Sequence, residues 1–152
     1  MKRIRACAIV VDKERVLLLW RKKNVNTYFV FPGGGKEEGE TIEEAVVREA
    51  LEETSIKVKV EKYLYKITDE TTESYFYLCS YISGEPQLGN GNEIQKRNEL
   101  NQYEPMWKDI SDVADLNLLP HTVKEWFIES HKNKFVGYPR EIDVVIKSAS
   151  KE

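Results

Sequence analysis

Hydrophobic spacing along the chain switches between two periods. Residues 4–11 are rich in Ile and Val, and residues 16–20 form a second apolar run. The polar triplet Asp12-Lys13-Glu14 separates them, so the pair predicts a β-hairpin. A polar connection covers residues 21–27, and Tyr28-Phe29-Val30-Phe31 reads as a short strand stopped by Pro32. Gly33-Gly34-Gly35 is the strongest local breaker. Thr41-Ile42-Glu43-Glu44 then fits a capping box, a hydroxyl at the cap and a carboxylate three residues on, and good helix formers run to Glu53. Alternation returns with Ile56, Val58 and Val60 set against Lys57, Lys59 and Glu61, predicting a strand that continues toward Ile67.

After a polar turn at residues 68–72, residues 74–82 predict another strand. Tyr75, Tyr77, Cys79 and Tyr81 share one of its faces, and Phe76, Leu78, Ser80 and Ile82 the other. Residues 84–102 are polar, with a length that in compact domains often marks a functional loop. Residues 103–110 resume a strand that Pro105 confines to an edge or a start. Residues 121–132 read as an amphipathic helix with Val123, Trp126, Phe127 and Ile128 inward. The apolar pattern at 140–147 is too short to separate a strand from a short helix.

Composition narrows the function classes. A chain of 152 residues without a compositional break predicts one domain over residues 1–152, able to fold without disulfide or metal staples. The formal net charge of -3 gives no bulk attraction to nucleic acid or to membrane surfaces. Cys7 and Cys79 are too few for a disulfide framework or a zinc pattern and read as buried strand thiols. No stretch approaches the ~20 apolar residues of a membrane span, so the expected location is cytoplasmic.

The chemistry is concentrated on the helix from Thr41. On a wheel at about 100° per residue, Ile42, Val46, Val47, Ala50 and Leu51 form the predicted core face. Glu49, Glu52 and Glu53 fall in one arc beside it, three and four residues apart, and so are neighbours in space. Their mutual repulsion costs a few tenths of a kcal/mol per pair. They also lie toward the C-terminal end, where the helix dipole disfavours anions by a further ~0.3–1 kcal/mol each. An acidic, solvated face would tolerate this arrangement; a hard dication held among the oxygens gives a reason for it.

The linear spacing is more specific. Gly34, five residues, Glu40, seven residues, then Arg48-Glu49-Ala50-Leu51-Glu52-Glu53-Thr54-Ser55-Ile56 resembles the Nudix box. Every fixed position agrees except Ser55, where that family has glycine, and Ala50 is small for its aliphatic position. Phe31-Pro32-Gly33-Gly34-Gly35 and Glu38-Gly39-Glu40 are similar to the family as well. The resemblance implies an α/β/α sandwich with a central mixed sheet and a loop-helix-loop motif.

It further implies a pyrophosphohydrolase that cleaves a nucleoside diphosphate linked to another group, such as an ordinary or oxidised nucleoside triphosphate. Mg²⁺ or Mn²⁺ would be held by Glu49, Glu52 and Glu53, with the Gly34 carbonyl as a further ligand. Arg48 would pair with Glu40 and Glu52 to fix the carboxylates. Candidates for an extra acid outside the box are Glu104 and Glu99. Tyr28, Phe29 and Tyr77 are candidate plates for the base. The expected partner is a small-molecule nucleotide, on a monomer or a homodimer. The alternative is a non-catalytic nucleotide-binding or regulatory module on the same fold. Members that cleave ADP-ribose often carry a proline some fifteen residues past the box, and residues 69–74 have none.

Overall fold

A computed structural model describes residues 2–87, 101–137 and 139–144. The first hairpin forms as its pattern predicts: β1 (Arg3–Asp12) and β2 (Arg15–Lys23), turned at Lys13 with φ 58°. β3 (Asn26–Val30) returns along β2, and β4 (Gly33–Gly35) lies on β1. The helix α1 (Ile42–Thr54) opens with the predicted capping box: Glu44 N–H donates to Thr41 Oγ1 at 3.1 Å, and Thr41 N–H to Glu44 Oε1 at 2.8 Å. β5 (Lys57–Thr68) and β6 (Thr72–Ser83) form a long antiparallel pair. β7 (Asn101–Asp109), a 3₁₀ helix (Ile110–Asp115), β8 (Leu118–Leu119) and α2 (His121–Lys132) follow. The undecided segment near the C-terminus holds a strand, β9 (Arg140–Asp143), parallel to β5.

The sheet is mixed, in the order β8-β3-β2-β1-β6-β5-β9, with β4 also on β1 and β7 also on β2. β1 and β2 are partners only at Val11↔Val16 and Asp12↔Arg15. Beyond that root β2 takes β3 and β7, while β1 takes β4 and, in parallel, β6. The sheet therefore splits into two halves that diverge from the hairpin. Pro105 sits on β7, which among the described residues pairs only with β2, as its missing N–H requires.

Strand alternation sorts the core into two layers. Ala6, Ala8 and Val10 of β1 join Ala45, Val46, Ala50, Ile56 and Val58 under α1. Cys7 and Ile9, one residue out of phase, join Phe31, Phe76, Val123 and Phe127 under α2. Helix, sheet and helix are thus stacked in the α/β/α order. Both cysteines are buried and free. The core face of α1 differs from the wheel in one member: Leu51 is 50% exposed, and Ala45 is buried in its place. The small Ala45 and Ala50 let the helix lie close to β1, which leaves the wider edge of the stripe outside.

Candidate active site

Arg48 organises the box. Its guanidinium meets Glu40 with two bonds, Nη2 to Oε1 at 2.6 Å and Nε to Oε2 at 3.1 Å. Nη1 reaches Glu49 Oε1 at 2.8 Å and Glu52 Oε2 at 3.2 Å, and Nη2 also donates to the Gly35 carbonyl at 3.0 Å. A planar fork suits this work, because two donors can hold one carboxylate while others reach past it. The hydrogen bond from Arg48 holds the Glu40 carboxyl down at about 2, and a backbone bond from Glu37 adds to this. Glu40 is therefore an anion that closes the loop onto α1, and the predicted pairing of Arg48 with Glu40 and Glu52 extends to Glu49.

The three box glutamates are anchored at different points. Glu53 Oε1 accepts the Gly33 N–H at 2.6 Å. Glu49 lies against Gly34 so closely that a Cβ built there would stand 2.5 Å from its Oε2. A side chain at residue 34 would therefore have to push the Glu49 carboxylate aside, because that carboxylate fills the space a Cβ would take. Glu52, four residues on from Arg48, is the more exposed member at 46%. These are hard oxygen donors from successive turns of one helix, the donor chemistry that suits Mg²⁺ or Mn²⁺. The set is not drawn closed: among the described residues, no group of three His, Cys, Asp or Glu side chains converges as a ready ion site.

A cleft of about 500 Å³ opens beside β1, the strand that pairs with Gly33–Gly35, where the two halves of the sheet diverge. Arg5 and Cys7 line it from β1, Phe76 from β6, Arg21 from β2, Tyr28 and Val30 from β3, and Leu119-Pro120 from the approach to α2. Arg5 Nη2 donates to the Gly33 carbonyl at 3.4 Å. One residue, Gly33, therefore touches a box carboxylate through its N–H and a cleft arginine through its C=O. Arg21 stacks on the Tyr103 ring at 5.4 Å. Its Nε is shielded from solvent and has no hydrogen-bond partner, a state shared by Arg15 Nε and Asn101 Oδ1. An unsatisfied buried donor costs about 1–3 kcal/mol, so a group that accepts from it is favoured in the cleft. Burial pushes the Cys7 thiol up to about 11, against the pull of Arg5, with Glu53 and Glu49 adding to the rise. Cys7 is thus a neutral lining group.

Sequence candidates outside the box separate by strand parity. Tyr28 lines the cleft. Phe29, the next residue, turns the other way, packs on the core under α2 and lies beneath Lys108. Tyr77 faces the α1 layer, 5.3 Å from the Tyr63 ring and beside Glu43, away from the cleft. Glu104 is exposed on β7, opposite Trp20, and its side chain is on the face away from Trp107, which packs on the α1 layer. Glu99 lies outside the described residues. Arg5 and Arg21 were not legible as site residues, because each sits in an ordinary strand and becomes a neighbour of the other only through the split sheet.

Comparison with known proteins bears on the family and the fold. A model of the NUDIX domain matches residues 1–127. The ADP-ribose pyrophosphatase of Methanocaldococcus jannaschii is 38% identical over 90 residues, 53% of this chain and 53% of that protein. The chain thus spans about half the length of that relative. The crystal structure of a NUDIX hydrolase from Nitrosomonas europaea superposes with a TM-score of 0.68 at 15% identity, covering 93% of this chain and 79% of that one. The mutator MutT protein of Bacillus halodurans gives 0.57 at 28% identity, covering 84% and 80%.

Proposed function

The chain belongs to the Nudix domain family, and from that premise we propose that it is a metal-dependent pyrophosphohydrolase acting on a nucleoside diphosphate linked to another group. An ordinary or oxidised nucleoside triphosphate is the first substrate to test. One observation carries the reading: the Gly33 residue ties Glu53 on one side to Arg5 in the cleft on the other. A substrate lying in the cleft therefore meets the box carboxylates and the arginines across a single residue of backbone.

The division of labour follows from the residues. A diphosphate repels an attacking hydroxide, so its oxygens must be screened and the water oriented. Glu49, Glu52 and Glu53 would hold the metal, which when bound neutralises phosphate oxygens and lowers the pKa of water. Arg48 and Glu40 keep those carboxylates in place as positioning residues. Arg5 and Arg21 offer donors to the acceptor-rich part of the substrate, and Tyr28 offers a ring. Phe31, Phe76 and Leu119 wall the cleft and exclude water around it.

The test is phosphate or pyrophosphate release from nucleoside triphosphates, ADP-ribose, dinucleoside polyphosphates and sugar nucleotides, with Mg²⁺ or Mn²⁺. The M. jannaschii relative is named an ADP-ribose pyrophosphatase, which supports testing ADP-ribose beside the triphosphates. Turnover should stop on adding EDTA and in Glu52→Gln or Glu53→Gln. Full turnover by Glu53→Gln would overturn the assignment of the box. Tight nucleotide binding without turnover across the panel would replace the enzyme by a binding module.

A further inference from the structure

The last turn of α1 is the least comfortable part of the helix. The final carbonyls of any helix lack partners within it, and partial negative charge gathers there. Glu52 and Glu53 sit in this turn, which contains no basic residue of its own; Arg48 reaches Glu52 from the turn before. The carbonyls of the turn are met partly by the helix's own last residues and cap and partly by a donor from another segment. Thr54 Oγ1 donates to the Ala50 carbonyl at 2.6 Å, and the Ser55 N–H to the Leu51 carbonyl at 2.9 Å. The Gln87 N–H, from the segment after β6, donates to the Thr54 carbonyl at 3.0 Å. Ser55 Oγ returns a bond to the Gln87 carbonyl at 3.1 Å. Two bonds of opposite sense thus close a clasp between residues 54–55 and Gln87.

The approach of the two segments is close. Gly84 has φ 106°, and a Cβ on it would collide with the Ser55 carbonyl oxygen. Its own carbonyl accepts the Tyr81 hydroxyl at 2.8 Å. Ser55 has φ 66° and ψ 16°, a left-handed conformation that strains a residue with a side chain and suits glycine. Glycine is what the box pattern carries at this position. It would relieve the strain but supply no hydroxyl, and the hydroxyl makes half of the clasp.

We propose that Ser55 is a positioning residue whose hydroxyl clasps Gln87 to the end of α1 and so holds Glu52 and Glu53 in place to take the metal. This rests on reading α1 as the metal-holding helix.

The test uses the full chain as Ser55→Gly and Ser55→Asn, with Mn²⁺ binding by calorimetry and thermal melting measured side by side. Asparagine tolerates the left-handed conformation and its amide N–H can serve the Gln87 carbonyl. Ser55→Gly is expected to weaken Mn²⁺ binding about three- to tenfold, the scale of one hydrogen bond, without lowering Tm. Ser55→Asn is expected to restore it, and the Mn²⁺ concentration for half-maximal turnover should move in step. Unchanged Mn²⁺ affinity in Ser55→Gly overturns the proposal while leaving the function standing. So does failure of a well-folded Ser55→Asn to restore it. If the parent chain binds no Mn²⁺, the reading of α1 fails first and the proposal falls with it.

Discussion

Gly34 and Glu49 occupy one space between them. A Cβ at residue 34 would stand 2.5 to 2.7 Å from the Glu49 carboxyl atoms, closer than any stable contact, and the flexible carboxylate is what would yield. Gly34→Ala should therefore keep the fold, since Gly34 remains paired with Ala6, and displace Glu49. A misplacement of about 1 Å costs on the order of 100-fold in rate, and steady-state turnover beside a melting curve would show it. A Gly34→Ala chain with the parent rate would remove Glu49 from the site. Glu40 gives a different readout. Its carboxyl is held at about 2, below the ordinary 4.5, chiefly by the Arg48 bond. A depressed carboxylate stabilises the fold fully above its unfolded value and loses that contribution as pH falls through its folded one. The Tm gap between the parent and Glu40→Gln should thus hold from neutral pH down to 4.5 and close between 4.5 and about 2. A gap independent of pH would show that the ion pair carries no stability.

At the level of elements, α1 was legible because everything that makes it is local. Its start is written in Thr41 and Glu44, its face in the spacing of Val46 and Ala50, and its chemistry in the box. The same locality makes a simple prediction. Thr41→Ala should cost about 1 kcal/mol of stability in denaturant unfolding, because it orphans the Glu44 N–H. No change would mean that Glu44 alone secures the cap. The split of the sheet, by contrast, was not legible. The hairpin of β1 and β2 was, but nothing local says that the two strands part after Val11 and Val16. Parity then decides between Tyr28 and Phe29, which look equivalent in sequence and face opposite ways. β9 was ambiguous for the reason its apolar pattern was short: its pairing with β5 is a tertiary event. Leu51 misled for a similar reason, since the width of a buried stripe depends on how closely the helix approaches its sheet.

For the molecule as a whole, the proposed function makes the split of the sheet a division between cutting and choosing. The carboxylates belong to α1, one of them bonded to the Gly33 N–H, and the arginines to β1 and β2, lining the cleft. Substitutions on the cleft side should then change which molecule is held with little effect on the rate once it is held. Arg21 is the sharpest probe, because its buried Nε lacks a partner and its guanidinium is already ordered on Tyr103. Arg21→Gln keeps a polar group in the wall but removes the charge. A bond to a charged donor contributes about 1.5–3 kcal/mol, so KM for the best substrate should rise roughly 10- to 100-fold with kcat nearly kept. The losses across the panel should be unequal, largest for the substrate whose far end is richest in acceptors. Equal losses in kcat for every substrate would instead place Arg21 at the reacting phosphate. An unchanged KM throughout would mean that substrate does not lie between the two halves of the sheet.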